Sequence, residues 1–181
     1  SDVACLAGVN ATDWSWAPLL TDFDNDGWKD IFISNGFRTE VQNLDFINFV
    51  YDSTLRADGG KLRDTMGHIK SIPRIPVSNF MFRNKGDLTF ENMSEAWGFG
   101  EKTFSNSAVY ADMDNDGDQD ILVVRSNDPV ALFCNKAVEQ KAGNYLQIKL
   151  QGPSTNPSGT GATVRVYSEG IEQVFYVNPI H

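Results

Sequence analysis

Two nine-residue loops constrain this chain more than any other feature: Asp22-Phe-Asp24-Asn-Asp26-Gly27-Trp28-Lys-Asp30 and Asp112-Met-Asp114-Asn-Asp116-Gly117-Asp118-Gln-Asp120. Each sits between short apolar runs. Trp16-Ala-Pro-Leu-Leu-Thr21 leads into the first and Ile31-Phe-Ile-Ser-Asn35 leads out, while Ser107-Ala-Val-Tyr-Ala111 and Ile121-Leu-Val-Val124 do the same for the second. Short runs bounded by Gly, Asn or Asp and enriched in Ile, Val and Phe favour strands over helices. The repeat unit is therefore strand, acidic loop, strand.

The repeat extends past the loops. Ser78-Asn-Phe-Met-Phe-Arg83, the turn Asn84-Lys-Gly86-Asp87 and Leu88-Thr-Phe-Glu-Asn92 read as a hairpin closing a four-stranded meander. Leu132-Phe-Cys134-Asn135-Lys136 then stands where Met81-Phe-Arg83-Asn84-Lys85 stood. An insertion at about residues 37–76 interrupts the first unit, and Val41, Leu44, Ile47, Tyr51 and Leu55 recur there at the spacing of one helix face. From residue 143 the texture changes. Tyr145–Leu150, Ala162–Tyr167 and Gln173–Val177 alternate apolar and polar residues, as half-exposed antiparallel strands do. The expected fold is all-β: antiparallel meander blades over residues 1–142 with a helical insertion, then a small β module over 143–181. Ser1 is not an initiator Met and His181 falls within a strand-rich stretch, so a longer parent chain is expected.

The loops have the chemistry of a calcium site. Calcium takes six to eight oxygen ligands at about 2.3–2.6 Å, which requires several converging carboxylates. In the first loop Asp22, Asp24 and Asp26 supply positions one, three and five, the Trp28 carbonyl position seven and Asp30 position nine. Asp112, Asp114, Asp116, the Asp118 carbonyl and Asp120 repeat the set, and Gly27 and Gly117 permit the sharp turn. Without a cation, carboxylates within about 5 Å repel by a few kcal/mol per close pair at an effective dielectric near 20. Two Ca²⁺ ions are therefore expected. Magnesium suits the loops less, because it usually retains several waters.

These are not EF-hands. Position twelve, where an EF-hand carries a bidentate Glu, is Ile33 in one loop and Val123 in the other, and the flanks are strands. Dockerin loops also run into helices. Asp-x-Asp-x-Asp-Gly-x-x-Asp between strands, followed by Phe80-Met-Phe-Arg-Asn84-Lys-Gly-Asp-Leu-Thr-Phe90, resembles the FG-GAP or VCBS repeats of integrin-like β-propellers. Asn144-Tyr-Leu-Gln-Ile-Lys-Leu150-Gln-Gly152, with Asn156 and Gly159-Thr-Gly161-Ala-Thr-Val-Arg-Val166, looks like the ASPIC/UnbV domain that follows such repeats in bacterial proteins. The resemblance implies a partial propeller, since a closed one needs roughly four to eight blades and two are visible. It also implies a secreted, periplasmic or cell-surface scaffold that binds an extracellular protein or glycan. The alternative is an accessory, non-catalytic region of a larger secreted polysaccharide-acting enzyme.

Composition narrows the partners. Net charge is −9, and nine of the 24 acidic residues lie in the two loops. With no basic stripe, a nucleic-acid partner is not expected. No run of about 18 apolar residues is present to span a membrane. Catalytic groups are also scarce, so no enzyme activity is expected. His68 and His181 are the only histidines, and no nucleophile elbow, phosphate loop or Cys/His cluster occurs. Cys5 and Cys134 do not define a disulfide framework, and Cys134, in an apolar run, reads as a buried thiol. Trp14, Trp16 and Trp97 read as core, with Trp28 the one expected to point outward.

Overall fold

A computed structural model of the chain describes residues 3–36, 45, 48–49, 52, 74–168 and 170–178. After a short helix, α1 (Ala4–Ala7), come β1 (Ser15–Thr21), β2 (Asp30–Asn35), β3 (Val77–Ser78), β4 (Phe80–Asn84) and β5 (Phe90–Asn92). Next are β6 (Lys102–Thr103), β7 (Ser105–Ala111), β8 (Asp120–Arg125), β9 (Ala131–Phe133), β10 (Thr163–Ser168) and β11 (Ile171–Tyr176). The first sheet is the expected meander, in the order β1-β2-β4-β5, and the second is β7-β8-β9. All pairings are antiparallel, consistent with an all-β, partial propeller-like fold.

Each acidic loop is the connection of a hairpin, and the two hairpins share one register. Thr21 pairs with Asp30 and Leu20 with Ile31, as Ala111 pairs with Asp120 and Tyr110 with Ile121. Both first strands also carry a register shift near their start, between Ser15 and Pro18 and between Ser105 and Ser107. Pro18 is tolerated because β1 is an edge strand, where the missing N–H interrupts no central ladder.

Period-two alternation decides what is buried. Phe32 and Met81 of the first sheet meet Ile121 and Val123 of the second in one core, with Leu19, Tyr110 and Phe133 packed against it. Phe99, from the segment joining the sheets, wedges between them with its ring 5.1 Å from Phe32 and 4.6 Å from Phe133. Burying a side chain of this size contributes roughly 1.5–3 kcal/mol. The intervening positions Leu20, Val109 and Leu132 face outward and are exposed.

Several expectations need correction. Tyr145–Leu150 forms no strand, because alternation creates a strand only where a partner supplies the ladder, and β10 and β11 pair with each other instead. Cys134 is exposed, as is Cys5, and both are free thiols. Cys134 follows β9 directly and lies outside the core that Phe133 joins. Trp97 does pack on the core, but Trp16 is exposed like Trp28. The helix expected over Val41, Leu44, Ile47, Tyr51 and Leu55 rests on residues outside those described, as do both histidines. No helix among the described residues is long and apolar enough to cross a membrane.

Candidate functional site

The two loops wrap themselves with the same hydrogen bonds. Position one accepts from the N–H groups of positions five and six: Asp22 from Asp26 (3.1 Å) and Gly27 (2.8 Å), Asp112 from Asp116 (3.1 Å) and Gly117 (3.2 Å). Position five accepts from position seven, Asp26 from Trp28 at 2.9 Å and Asp116 from Asp118 at 3.0 Å. This wrap requires left-handed backbone at two points. Asn25 and Asn115 lie at φ 57° and 62°, and Gly27 and Gly117 at 95° and 98°. Asparagine tolerates the first conformation, but the second is glycine's.

Position nine is a buried brace. Asp30 accepts from Phe23 N (3.0 Å) and Asn84 N (2.8 Å), and Asp120 from Met113 N (3.0 Å) and Asn135 N (2.9 Å). Asn84, which ends β4, and Asn135, just past β9, complete the frame. Asn84 donates its amide to the Lys29 carbonyl at 3.0 Å and Asn135 to that of Gln119 at 3.2 Å. Asn135 also donates to the Phe23 carbonyl at 2.6 Å, tying the second hairpin to the first loop. Their shared place in the repeat register was the available signal for these two residues. Only the structure gives them a role.

Carboxylates converge in three groups whose oxygens lie within 4.8 Å of one another: Asp22, Asp24 and Asp30; Asp112, Asp114 and Asp116; and Asp116, Asp118 and Glu139. The first two are the sets expected from spacing, except that Asp26 turns towards Arg83 and Asp120 serves as the brace. The Arg83 guanidinium bonds Asp24 at 2.5 Å and Asp26 at 3.1 Å. Trp28 is exposed, with its indole against the Gly86 turn, whereas Asp118 in the matching position is buried. The loops fit a hard cation: the donors are all oxygen, and Asp116 Oδ2 and Asp118 Oδ1 are buried without a hydrogen-bond partner.

The proton affinities of the carboxylates reflect this crowding. Burial pushes Asp30 up to about 7, outweighing its two backbone N–H bonds, and the charges of Asp24 and Asp26 add to the rise. Asp118 is pushed up to about 6, first by burial and then by Asp116 against the Val138 N–H. Asp22 and Asp24 are also raised, chiefly by burial with Asp26 adding, and Asp24 stays raised despite Arg83. Asp114 is raised by partial desolvation and by the charge of Asp116. A nearby cation would reverse each of these shifts.

The segment after β9 crosses both loops. A side chain at Gly143 would collide with the Asn25 carbonyl, one at Gly117 would collide with the Tyr145 ring, and Gln173 Nε2 donates to the Gly27 carbonyl at 3.1 Å. Beside the first loop a cavity of about 720 Å³ opens between the sheets, with Asp24, Arg83 and Lys136 on its polar wall and Met81, Phe99 and Phe133 on its apolar one.

Residues 74–123 match the family model of an FG-GAP-like repeat. The matched stretch runs from just before β3 into β8, so it contains the whole second loop. The FG-GAP-like repeat thus takes in the closing hairpin of the first sheet and the opening hairpin of the second. No curated protein matches the chain.

Proposed function

We propose that this chain is a calcium-braced, non-catalytic scaffold of FG-GAP type, which works outside the cytosol by binding a protein or glycan partner. The observation that carries the calcium reading is the duplicated loop: two hairpins concentrate carboxylates at one spacing and wrap them with one set of hydrogen bonds, and the second leaves two buried carboxylate oxygens unpartnered. Asp22, Asp24, Asp26, Asp30 and the Trp28 carbonyl serve the first ion. Asp112, Asp114, Asp116, Asp120 and the Asp118 carbonyl serve the second. The adhesion or ligand-binding role is supported by the FG-GAP-like repeat at residues 74–123, and residues 143–181 fit an ASPIC/UnbV-like module on the motif they carry. Extracellular calcium modules bind at about 10⁻⁴–10⁻³ M, so such loops fill outside cells and stay empty in cytosol.

The role of calcium is structural on this reading. The ion neutralises carboxylates that burial and mutual repulsion disfavour, and it fixes the hairpin ends on which residues 143–145 rest. Thermal unfolding in EDTA against millimolar calcium tests it. At 100 times Kd each site adds about 2.7 kcal/mol. For a chain of this size that is a rise in Tm of roughly 5–10 °C per site. An unchanged Tm would overturn the proposal.

A further inference from the structure

We propose that the second loop holds two calcium ions, the additional one lying between Asp116, Asp118 and Glu139 with Asp116 shared between both. This rests on the calcium reading of that loop and goes beyond it, since spacing assigns Asp118 only a backbone carbonyl and assigns Glu139 nothing. Oxygens on a sphere of calcium's usual bond length can lie at most about 5 Å apart. One oxygen from each of the three carboxylates falls within 4.8 Å of the others.

The decisive observation is the Asp118 side chain. It is 1% exposed, its Oδ2 accepts from Val138 N at 3.2 Å, and its Oδ1 has no partner. Asp116 Oδ2, beside it, is likewise buried and unpartnered. A charged carboxylate oxygen buried without a partner is disfavoured, and two such oxygens on neighbouring carboxylates more so. Glu139 brings a third from an exposed turn held by Gln140 N to Lys136 O and Ala142 N to Ala137 O. The described residues place no lysine or arginine in an ion pair with any of the three.

The arrangement belongs to the second loop alone. Trp28 stands in the first loop where Asp118 stands in the second. Counting on from the matched asparagines, Leu88 stands where Glu139 does, and it is 87% exposed. An ion here would tie the turn at 136–142 to the loop immediately before the chain crosses both loops at Gly143 and Tyr145. Carboxylate-bridged ion pairs have precedent in two-metal sites, with ions about 3.5–4 Å apart.

Calcium counting on the whole chain, by titration calorimetry with equilibrium dialysis, tests the inference. Three ions per chain are expected. Glu139→Gln, on the surface, should remove or weaken by at least tenfold a single binding step, and Asp24→Asn should weaken a different one. Two ions, with Glu139→Gln unchanged in number and affinity, overturn the additional site and leave the calcium reading standing. No calcium bound at all overturns both.

Discussion

The two acidic loops share a hydrogen-bond plan and differ in charge. In the first, four carboxylates face one guanidinium, Arg83, bonded to Asp24 and Asp26. In the second, Cys134 takes the place of Arg83, Asp118 the place of Trp28, and Glu139 joins from the following turn, so six carboxylates gather without a cation from the described residues. The shared residues are those that build the hairpin: position one wraps the turn, position nine braces it, and the asparagine at the end of the third strand or just past it closes it. The differing residues set how much positive charge the loop must take from solution. Among the described residues, the first loop is given part of its counter-charge and the second none.

The largest effect should come from the shared frame. Asn135→Ala removes the donor to both Gln119 O and Phe23 O, and with it the link between the second hairpin and the first loop. Leaving polar groups unpaired costs about 1–3 kcal/mol each when they are buried. A loss of roughly 2–4 kcal/mol is expected from chemical denaturation, against about 1 kcal/mol for Asn84→Ala, which loses the single Lys29 O bond and the Gly86 N bond at the outer turn. Equal losses would break the comparison, because the link between hairpins would then contribute nothing.

Charge exchange should have the next largest effect. Arg83→Gln leaves the first loop more negative, and its calcium affinity should rise about tenfold, a modest figure because the guanidinium is partly exposed and screened. Cys134→Arg gives the second loop the missing guanidinium at an exposed position and should weaken its affinity by a similar factor. Titration of each variant reads both directions. Should neither affinity move, the difference in charge between the loops has no bearing on binding.

The hairpins were legible in the sequence because Asp-x-Asp-x-Asp-Gly-x-x-Asp fixes a turn and the flanking apolar runs fix strands. The parts that were not legible depend on the third dimension. Arg83 lies far along the chain from Asp24, and no local pattern announces that β4 brings them together. Asp118 reads as one more loop aspartate until its burial singles it out. Tyr145–Leu150 alternates as a strand should and has no ladder, because pairing is a property of two segments. Cys134 sits in an apolar run yet is exposed, since β9 ends one residue before it, at Phe133.

The effect that separates the loops most finely is on pH. Asp30 is raised from 3.8 to about 7 and Asp118 from 3.8 to about 6, each chiefly by burial. In EDTA the folded chain holds these protons more tightly than the unfolded chain. The resulting stability is fully present below the unfolded value and is lost as pH rises through about 6 and then about 7. Tm in EDTA should therefore rise as pH falls from 8 to 5. Calcium requires the ionised carboxylates, so in saturating calcium the same protons compete with the ion, and the calcium-dependent part of Tm should shrink over that interval. The first loop, with the higher Asp30 value, should lose its response earlier on the way down. Fluorescence of Trp28, exposed within that loop, offers a local readout, and Trp28→Phe gives the background from the other tryptophans. A gap between calcium and EDTA melting curves that stays constant from pH 8 to 5 would mean that these carboxylates take no part in holding the ion.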